Sequence, residues 1–195
     1  KGVEVIQNLV KESLKKKIPI LTFFTFSTEN WKRPKTEISF LFKLIEDYFN
    51  KEINNLKKNG VKINILGNIK SLPKKIKKCL IKSINITKNC KNIRVNLAIN
   101  YGSKHEILNT FKILKKSQTK VTEKNFEKKL YTKGIPDPDL LIRTGGKRRL
   151  SNFLLWQLSY SELYFIDKLW PDFTVGDYNK ILEHFRKVKR NFGKI

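Results

Sequence analysis

The chain carries one long apolar run near its beginning, Ile18-Pro19-Ile20-Leu21-Thr22-Phe23-Phe24-Thr25-Phe26. The run is rich in β-branched and aromatic residues, which favour strands. It is too continuous for a strand with one solvated face, so we expect a strand that is buried on both faces. Strands of that kind are typical of parallel sheets covered by helices on each side.

The rest of the chain alternates between helix and strand patterns. Further strands are predicted at residues 61–66, 93–99, 140–142 and 163–166. Helices are predicted at residues 3–16, 35–58, 73–87, 104–116, 122–131, 152–162 and 177–192. Because strands alternate with helices, we expect an α/β fold. It would be a single domain over residues 1–195, with one parallel β-sheet flanked by helices on both faces.

The chain is strongly basic, with 42 Lys and Arg against 17 Asp and Glu and a formal net charge of +25. Such a surface could bind a nucleic-acid backbone. However, 35 of the 42 basic residues are Lys, and they are spread along the whole chain. The Phe and Tyr residues lie mostly in apolar stretches rather than among clustered Lys, as stacking on bases would need. We therefore expect no nucleic-acid partner.

The composition also indicates the compartment in which the protein works. Cys79 and Cys90 are too few for a disulfide scaffold and lack the paired spacing of a metal or redox site, so we expect reduced thiols and a cytoplasmic protein. No apolar run reaches the ~18 residues that a spanning helix needs. The chain begins at Lys1 and contains no Met, which leads us to expect a mature product or a fragment.

Polar side chains follow the first predicted strand at once, in the segment Ser27-Thr28-Glu29-Asn30-Trp31-Lys32-Arg33-Pro34. Ligands of parallel sheets bind beyond the carboxyl ends of the strands, so this segment is a candidate binding site. A structural explanation is equally open. Ser27 or Thr28 could cap a turn, and Pro34 could begin the next helix.

A second candidate site is Arg143-Thr144-Gly145-Gly146-Lys147-Arg148-Arg149-Leu150-Ser151-Asn152, which holds three of the seven Arg residues. The planar guanidinium of Arg grips phosphate oxygens with two hydrogen bonds, which Lys cannot do. The two glycines allow backbone to approach a ligand closely. We interpret the segment as a phosphate-binding loop; the alternative is a solvated basic turn. The Walker pattern is absent.

A third candidate is Glu162, a lone acid among apolar and aromatic residues. A carboxylate in such surroundings is expected to be paired, hydrogen-bonded or bound to a metal. His105 and His184 lack metal-site spacing, and we expect both to be surface or packed residues of helices.

Six blocks of sequence together resemble the cis-prenyltransferases, and within them the bacterial undecaprenyl diphosphate synthases. In chain order they are residues 26–34, 100–102, 139–146, 149–157, 162–165 and 170–173. Their clearest parts are Ser27-Thr28-Glu29-Asn30-Trp31, Asn100-Tyr101-Gly102, Leu141-Ile142-Arg143-Thr144-Gly145-Gly146, Ser151-Asn152-Phe153-Leu154-Leu155-Trp156-Gln157 and Trp170-Pro171-Asp172-Phe173. The blocks cover essentially the whole chain.

The resemblance implies repeated condensation of isopentenyl diphosphate onto an allylic diphosphate such as farnesyl diphosphate, with each new double bond cis. It implies Mg²⁺ as cofactor, a homodimer formed through residues 170–173 and the last helix, and peripheral contact with a membrane. The long cis-polyprenyl diphosphate would be the precursor of a lipid carrier for cell-wall glycans.

The resemblance also implies roles for individual residues. The isopentenyl diphosphate would be bound by Arg143, Arg149, Leu150 and Ser151. Glu162 would contribute to the metal site. Asn30 is the position to which proton acceptance is assigned, although an amide is barely basic, so orienting diphosphate or water is an equal alternative. The substrate site would be shaped by Ser27, Thr28, Glu29, Trp31 and Arg33.

The resemblance implies that the apolar stripe of the helix predicted at 35–58 lines a tunnel for the growing polyprenyl chain. The alternative is that the stripe packs on the sheet as hydrophobic core, and both roles can hold at once. Its members are Ile38, Leu41, Phe42, Ile45 and Phe49.

The front of the chain departs from the family pattern. Relatives begin with a strand that ends in an Asp-Gly-Asn-x-Arg loop, which holds the allylic diphosphate and whose Asp serves Mg²⁺. None of these precedes the first helix here, so we expect a sequence truncated at its N-terminus, with the first strand missing. On this interpretation the 195 residues alone would form no polyprenyl product.

A non-catalytic relative, acting as the accessory subunit of a two-subunit cis-prenyltransferase, is the main alternative. Such a subunit would have lost the block around Asn30 and Trp31. Here that block is intact.

Overall fold

The structure, a computed structural model, describes residues 1–191. The α-helices of this range are α1 (Gly2–Lys15), α2 (Lys35–Lys58), α3 (Lys74–Thr87), α4 (Ser103–Lys116), α5 (Glu123–Glu127) and α6 (Val175–Phe185). The strands are β1 (Ile20–Ser27), β2 (Val61–Leu66), β3 (Ile93–Tyr101), β4 (Leu140–Arg143) and β5 (Glu162–Phe165). Short 3₁₀ helices occupy Thr28–Lys32, Ile69–Ser71 and Trp170–Asp172.

The predicted α/β fold with parallel strands and flanking helices is confirmed. Its strands form two parallel sheets, one with strand order β1-β3-β2 and one that pairs β4 with β5. The chain divides into two compact units, the first at Ser13–Lys133 and the second formed by Lys1–Glu12 with Gly134–Ile195. The predicted single-domain organisation stays a prediction.

A polar ladder crosses the three-stranded sheet of the first unit. Asn96 of β3 donates to the hydroxyl of Thr22 on β1, and Asn64 of β2 donates to Asn96, each over 3.0 Å. The three residues are register partners in the parallel pairing. Asn96 is fully buried, so a shift in register would strand its amide without partners and would be costly.

The prediction that β1 is buried on both faces is wrong. Only Phe26 and Ser27 at its end are buried, and Phe24 is 37% exposed. The reason is strand order, because β1 is an edge strand of the described sheet and β3 is central. Burial along almost the whole strand occurs instead in β3.

Two helices pack against each other beside β2. The buried side chains of α2 recur at helical spacing and are Ile38, Phe42, Glu46, Phe49 and Ile53. The helix ends as predicted, since Gly60 adopts φ +69°, a left-handed conformation that is strained for other residues. From α3, Ile76 and Leu80 are buried.

The second unit is built around the β4–β5 pair, in which Leu140 lies opposite Glu162. Trp170 donates its indole N–H to the carbonyl of Gly2 over 3.0 Å, which ties α1 to the segment before α6. The helix predicted at 177–192 spans Val175–Phe185, and Phe192 lies outside the described residues.

Two other predicted helices differ from the structure. Residues 151–160 form successive turns before β5, so the prediction of a helix at 152–162 is wrong. Ser151, Asn152 and Leu154 have φ between +45° and +62°, and a right-handed helix cannot pass through such residues. The helix predicted at 122–131 is shorter, with Thr122 as the expected N-cap accepting from the backbone of Asn125. Among the described residues, none of the helices has the length and hydrophobicity to cross a bilayer.

Candidate active site

The segment after β1 folds into the 3₁₀ helix Thr28–Lys32. The side-chain oxygen of Asn30 accepts a hydrogen bond from the backbone N–H of Ser27 over 2.8 Å, and the Ser27 side chain faces the backbone N–H of Asn30 in return, so the two residues form a capping box. Thr28 donates to the carboxylate of Glu29 over 3.1 Å. The Asn30 oxygen is therefore already engaged by backbone, which favours an orienting role over proton acceptance.

Trp31 is the best-anchored member of this segment. Its indole N–H donates to the side-chain oxygen of Asn100 over 2.7 Å. Its ring packs edge-on against Phe26 and Phe42, with centroids 5.2 and 5.7 Å away. The side chain is nevertheless 40% exposed, so part of a fixed aromatic surface remains open to a ligand.

Arg33 behaves differently from Trp31. Its guanidinium pairs with Glu37 one helical turn later over 2.7 Å, and both side chains are nearly half exposed. Exposed pairs of this kind add at most about 1 kcal/mol to stability. The pair can therefore open at little cost, and Arg33 stays available to an anionic ligand.

The loop after β4 brings together three of the residues predicted to bind diphosphate. Arg143 donates through Nη1 to the hydroxyl of Ser151 over 2.8 Å and to the backbone carbonyl of Arg149. Gly145 and Gly146, at φ +88° and +68°, turn the loop. Their N–H groups donate to the carbonyls of Lys168 and Ile166.

Two positive charges are held close together in this loop. Burial and the nearby charge of Arg149 both lower the pKa of Arg143. The buried Nε of Arg143 has no hydrogen-bond partner in the part of the chain that the structure describes. Two neighbouring guanidinium groups, one with an unused donor, form a site that an anion would stabilise. Leu150 is half-buried, while Arg148 and Arg149 are exposed.

Glu162 begins β5, where its backbone N–H donates to the carbonyl of Asp139 over 3.0 Å. The residue is half-buried, and across residues 1–191 its carboxylate has no hydrogen-bond or ion-pair partner. Of the three states expected for this carboxylate, pairing and hydrogen bonding are not seen among the described residues, and metal binding stays a prediction. The pKa of Tyr164 is raised, mainly by burial and to a smaller extent by the charge of Glu162. The hydroxyl of Tyr164 hydrogen-bonds His184.

The carboxylates of the chain limit the kind of Mg²⁺ site that it can form. Within residues 1–191 no three His, Cys, Asp or Glu side chains cluster as a metal site. Mg²⁺ commonly takes only one or two carboxylates and completes its shell with substrate phosphate oxygens and water. An unpaired, half-buried carboxylate such as Glu162 fits that mode of binding.

The predicted site residues fall into two groups. Ser27, Thr28, Glu29, Asn30, Trp31 and Arg33 lie in the unit Ser13–Lys133. Arg143, Arg149, Leu150, Ser151 and Glu162 lie in the other unit. The first group gathers at the carboxyl end of β1. In the second group Arg143 ends β4 next to the loop with Arg149, Leu150 and Ser151, whereas Glu162 begins β5 and lies opposite Leu140, at the other end of the two strands.

Two buried polar residues were missed as site elements. Asn100 accepts a hydrogen bond from Trp31. Its backbone has φ +51°, and the only sign of this in the sequence is the general preference of Asn for that conformation. Glu106 is 1% exposed and accepts from the hydroxyl of Tyr101 over 2.6 Å and from the backbone of Tyr131 over 2.7 Å. A lone acid in the first turn of a helix is ordinarily solvated, so its burial could not be foreseen.

Comparison with known proteins places this arrangement in context. The family model described as "Putative undecaprenyl diphosphate synthase" matches residues 1–193. An isoprenyl transferase of Rickettsia bellii is 43% identical over 194 residues, covering 99% of this chain and 86% of the relative. An isoprenyl transferase of Thermotoga maritima is 44% identical over 198 residues, covering 99% and 85%.

Solved structures agree in fold. A protein from Campylobacter jejuni, described as a probable undecaprenyl diphosphate synthase, superposes with a TM-score of 0.91 at 38% identity, covering 99% of this chain and 92% of that one. Lavandulyl diphosphate synthase from Lavandula x intermedia, solved with dimethylallyl diphosphate, gives 0.92 at 29% identity, covering 99% and 86%. The chain therefore belongs to the undecaprenyl diphosphate synthase family and is a cis-prenyltransferase.

Proposed function

We propose that the protein condenses isopentenyl diphosphate repeatedly onto an allylic diphosphate such as farnesyl diphosphate. The product is a long cis-polyprenyl diphosphate, the precursor of a lipid carrier for cell-wall glycans. The observation that carries the proposal is the cluster of Arg143, Arg149 and Ser151 in one loop. It has two neighbouring positive charges and a buried N–H that no residue of the range 1–191 accepts from. Family membership supports chain elongation in general.

In this proposal the loop after β4 binds the diphosphate of isopentenyl diphosphate. Arg149 is exposed and free to move onto the ligand. Arg143 holds the loop in shape and offers its Nε–H, and the hydroxyl of Ser151 adds a further donor. The half-buried Leu150 packs beside the hydrocarbon part of the same substrate. These groups hold the alkene in place for reaction, which is a major source of rate acceleration.

The reaction breaks the bond between the allylic carbon and its diphosphate oxygen, and the diphosphate leaves with the electron pair. The double bond of isopentenyl diphosphate supplies the electrons of the new carbon–carbon bond, and a proton is then lost. Asn30 orients the diphosphate or a water that accepts this proton. The exposed part of Trp31 and the side chains of Ser27, Thr28, Glu29 and Arg33 shape the allylic site.

Glu162 would bind Mg²⁺ together with diphosphate oxygens. The ion, when bound, supplies charge neutralisation for the departing diphosphate. The unpaired state of the Glu162 carboxylate among the described residues supports this assignment.

The apolar stripe of α2 supports both of the roles expected for it. Ile38, Phe42 and Phe49 are buried and act as core. Leu41 and Ile45 are half-buried, and we assign to them the wall of the tunnel that receives the growing chain.

The proposed protein is a cytoplasmic homodimer with peripheral membrane contact. The residues assigned to the dimer contact are 170–173 and α6, and the 62% exposure of the adjoining Leu169 supports an apolar contact there. The free thiols of Cys79 and Cys90 are compatible with a reducing compartment. Lys-rich faces could meet anionic lipid headgroups.

The test is Mg²⁺-dependent incorporation of labelled isopentenyl diphosphate by the full-length gene product, with farnesyl diphosphate as primer. We expect chain-extended products whose double bonds are cis by NMR. A folded protein that incorporates nothing would refute the proposal. Incorporation only after addition of a second, partner protein would favour the accessory subunit.

A further inference from the structure

Asn100 has an unusual combination of backbone and side-chain features. It is the penultimate residue of β3, and its backbone adopts the left-handed conformation, with φ +51°. Its side chain is only 5% exposed. Three hydrogen bonds saturate most of its amide. Oδ1 accepts from Trp31 over 2.7 Å, and Nδ2 donates to the carbonyl of Asn68 over 2.9 Å and to the hydroxyl of Ser71 over 2.8 Å.

The chemistry of the partners allows only one orientation of this amide. The indole N–H of Trp31 can only donate, so the atom facing it must be the oxygen. The carbonyl of Asn68 can only accept, so the atom facing it must be the nitrogen. The three contacts therefore define the position of the Asn100 side chain completely, and a mismatched residue would leave buried groups unpaired.

The contacts join the carboxyl ends of all three strands of the sheet. Trp31 follows β1, Asn68 and Ser71 follow β2, and Asn100 is the penultimate residue of β3. A backbone hydrogen bond from Asn68 to the carbonyl of Asn100, 3.2 Å long, reinforces the link. Carboxyl ends of parallel strands form the ligand-binding edge of such sheets, so this amide lies in the frame of the binding edge.

The indole of Trp31 is fixed from two sides. Phe26 and Phe42 contact the ring edge-on, which limits its translation, and the hydrogen bond to Asn100 selects one of the ring's possible rotations. The exposed 40% of the side chain is then presented in one orientation.

We propose that Asn100 is a positioning residue, whose amide fixes the orientation of Trp31 and thereby the aromatic surface offered to the allylic substrate. The inference rests on the proposed function, which places Trp31 at that substrate. Asn100 itself acts through Trp31 and does not contact the reacting atoms.

The test combines kinetics with the indole N–H resonances of ¹⁵N-labelled full-length protein, in which the Trp31 signal is assigned by its loss in Trp31→Phe. Asn100→Gly removes the amide and keeps the left-handed backbone without strain. We expect the Trp31 signal to shift while those of Trp156 and Trp170 stay. We also expect kcat/KM for the allylic substrate to fall about tenfold, and that for isopentenyl diphosphate to fall less.

Ser71→Ala is the matched control. It removes one partner of the same amide and leaves the bond to Trp31, so both the Trp31 signal and kcat/KM should stay near wild type. An equal loss in Ser71→Ala and Asn100→Gly would mean that Asn100 merely ties the strand ends together, and would overturn the proposal. An unmoved Trp31 signal in Asn100→Gly would also overturn it.

Asn100→Asp provides an independent arm in case the glycine variant does not fold. The carboxylate keeps the oxygen that accepts from Trp31 but turns an oxygen toward the Asn68 carbonyl, so we expect a lower melting temperature. In the folded variant the Trp31 signal should stay in place and the allylic kcat/KM should be retained to within about threefold. A tenfold loss with a folded Asn100→Asp would contradict the proposal. An inactive wild type would instead refute the proposed function, while an active wild type with unaffected variants would refute only the role of Asn100.

Discussion

The guanidinium of Arg143 donates to the hydroxyl of Ser151 over 2.8 Å. This bond closes the loop after β4, in which Arg143 and Arg149 are predicted to bind isopentenyl diphosphate. The same Nη1 donates to the carbonyl of Arg149. Arg143 therefore serves the loop as well as any ligand, whereas Arg149 is exposed and free for a ligand alone. This difference makes the two arginines separable by experiment.

Arg143→Lys and Arg149→Lys keep the positive charge and lose the planar fork. We expect each to raise the KM for isopentenyl diphosphate at least about tenfold, roughly 1.4 kcal/mol, with a smaller effect on the allylic substrate. Only Arg143→Lys should also lower the melting temperature, because only Arg143 closes the loop. Steady-state kinetics and thermal melts check both points.

The exposed Arg148 is the matched control for these variants, and Arg148→Lys should be close to neutral in both measurements. Equal weakening for the two substrates would indicate a general electrostatic effect. No effect of any of the three substitutions would restore the interpretation of a solvated basic turn.

Glu162→Gln preserves size and removes the charge that a divalent cation needs. Since no described residue pairs with this carboxylate, we expect the melting temperature to stay the same or rise slightly, because a neutral amide is easier to bury. Activity should fall strongly and the Mg²⁺ concentration for half-maximal rate should rise. Glu123→Gln, at an exposed position of α5, is the control and should change neither.

The stability readout separates two roles for Glu162. Removing one partner of a buried ion pair costs about 3–5 kcal/mol. A destabilised Glu162→Gln with an unchanged Mg²⁺ requirement would therefore show a structural carboxylate and contradict the metal assignment.

Asp177 caps α6 and should make the stability of its unit depend on pH. A hydrogen bond from Lys168 is the main reason that the pKa of its carboxyl lies well below the usual range, and hydrogen bonds from Thr174 add to this effect. A lowered folded pKa means stabilisation that is complete above the unfolded value, near pH 4, and is lost as the pH falls further. Asp177→Asn should therefore be less stable than wild type at pH 7, and the gap should close below about pH 4.

Urea unfolding at several pH values measures this gap. Asp47→Asn, which removes an exposed carboxylate from α2, is the control and should show no comparable gap at pH 7. A constant difference between wild type and Asp177→Asn from pH 7 to pH 2 would mean that the ionised carboxylate is not what stabilises the cap.

Substitution by Ala should have different effects at the buried and at the half-buried residues of the α2 stripe. Phe49 is 2% exposed, so Phe49→Ala should cost about 3–5 kcal/mol of unfolding free energy. Leu41→Ala and Ile45→Ala should cost less and should instead change the length distribution of the polyprenyl product. Chromatography of dephosphorylated products, together with urea unfolding, measures both. Unchanged product lengths in both variants would assign the whole stripe to the core.

The amino-acid sequence alone determined much of this protein. Strand and helix patterns gave the parallel α/β fold, because buried strands and amphipathic helices differ in the period of their apolar residues. Gly60 and Thr122 marked helix ends correctly, since their effects are local. The motif blocks identified the family, which the comparisons confirm.

Other features depended on contacts between residues far apart in the chain, and only the tertiary structure decided them. The edge position of β1 follows from strand order, which no local pattern encodes. The turns at 151–160 follow from left-handed residues where an apolar pattern predicted a helix. The bond between Trp31 and Asn100 spans 69 residues, and the partners of Glu106 and Arg143 likewise become neighbours only on folding. Side-chain type can be read from sequence, whereas the hydrogen-bond partner that fixes a buried polar group exists only once the strands have paired.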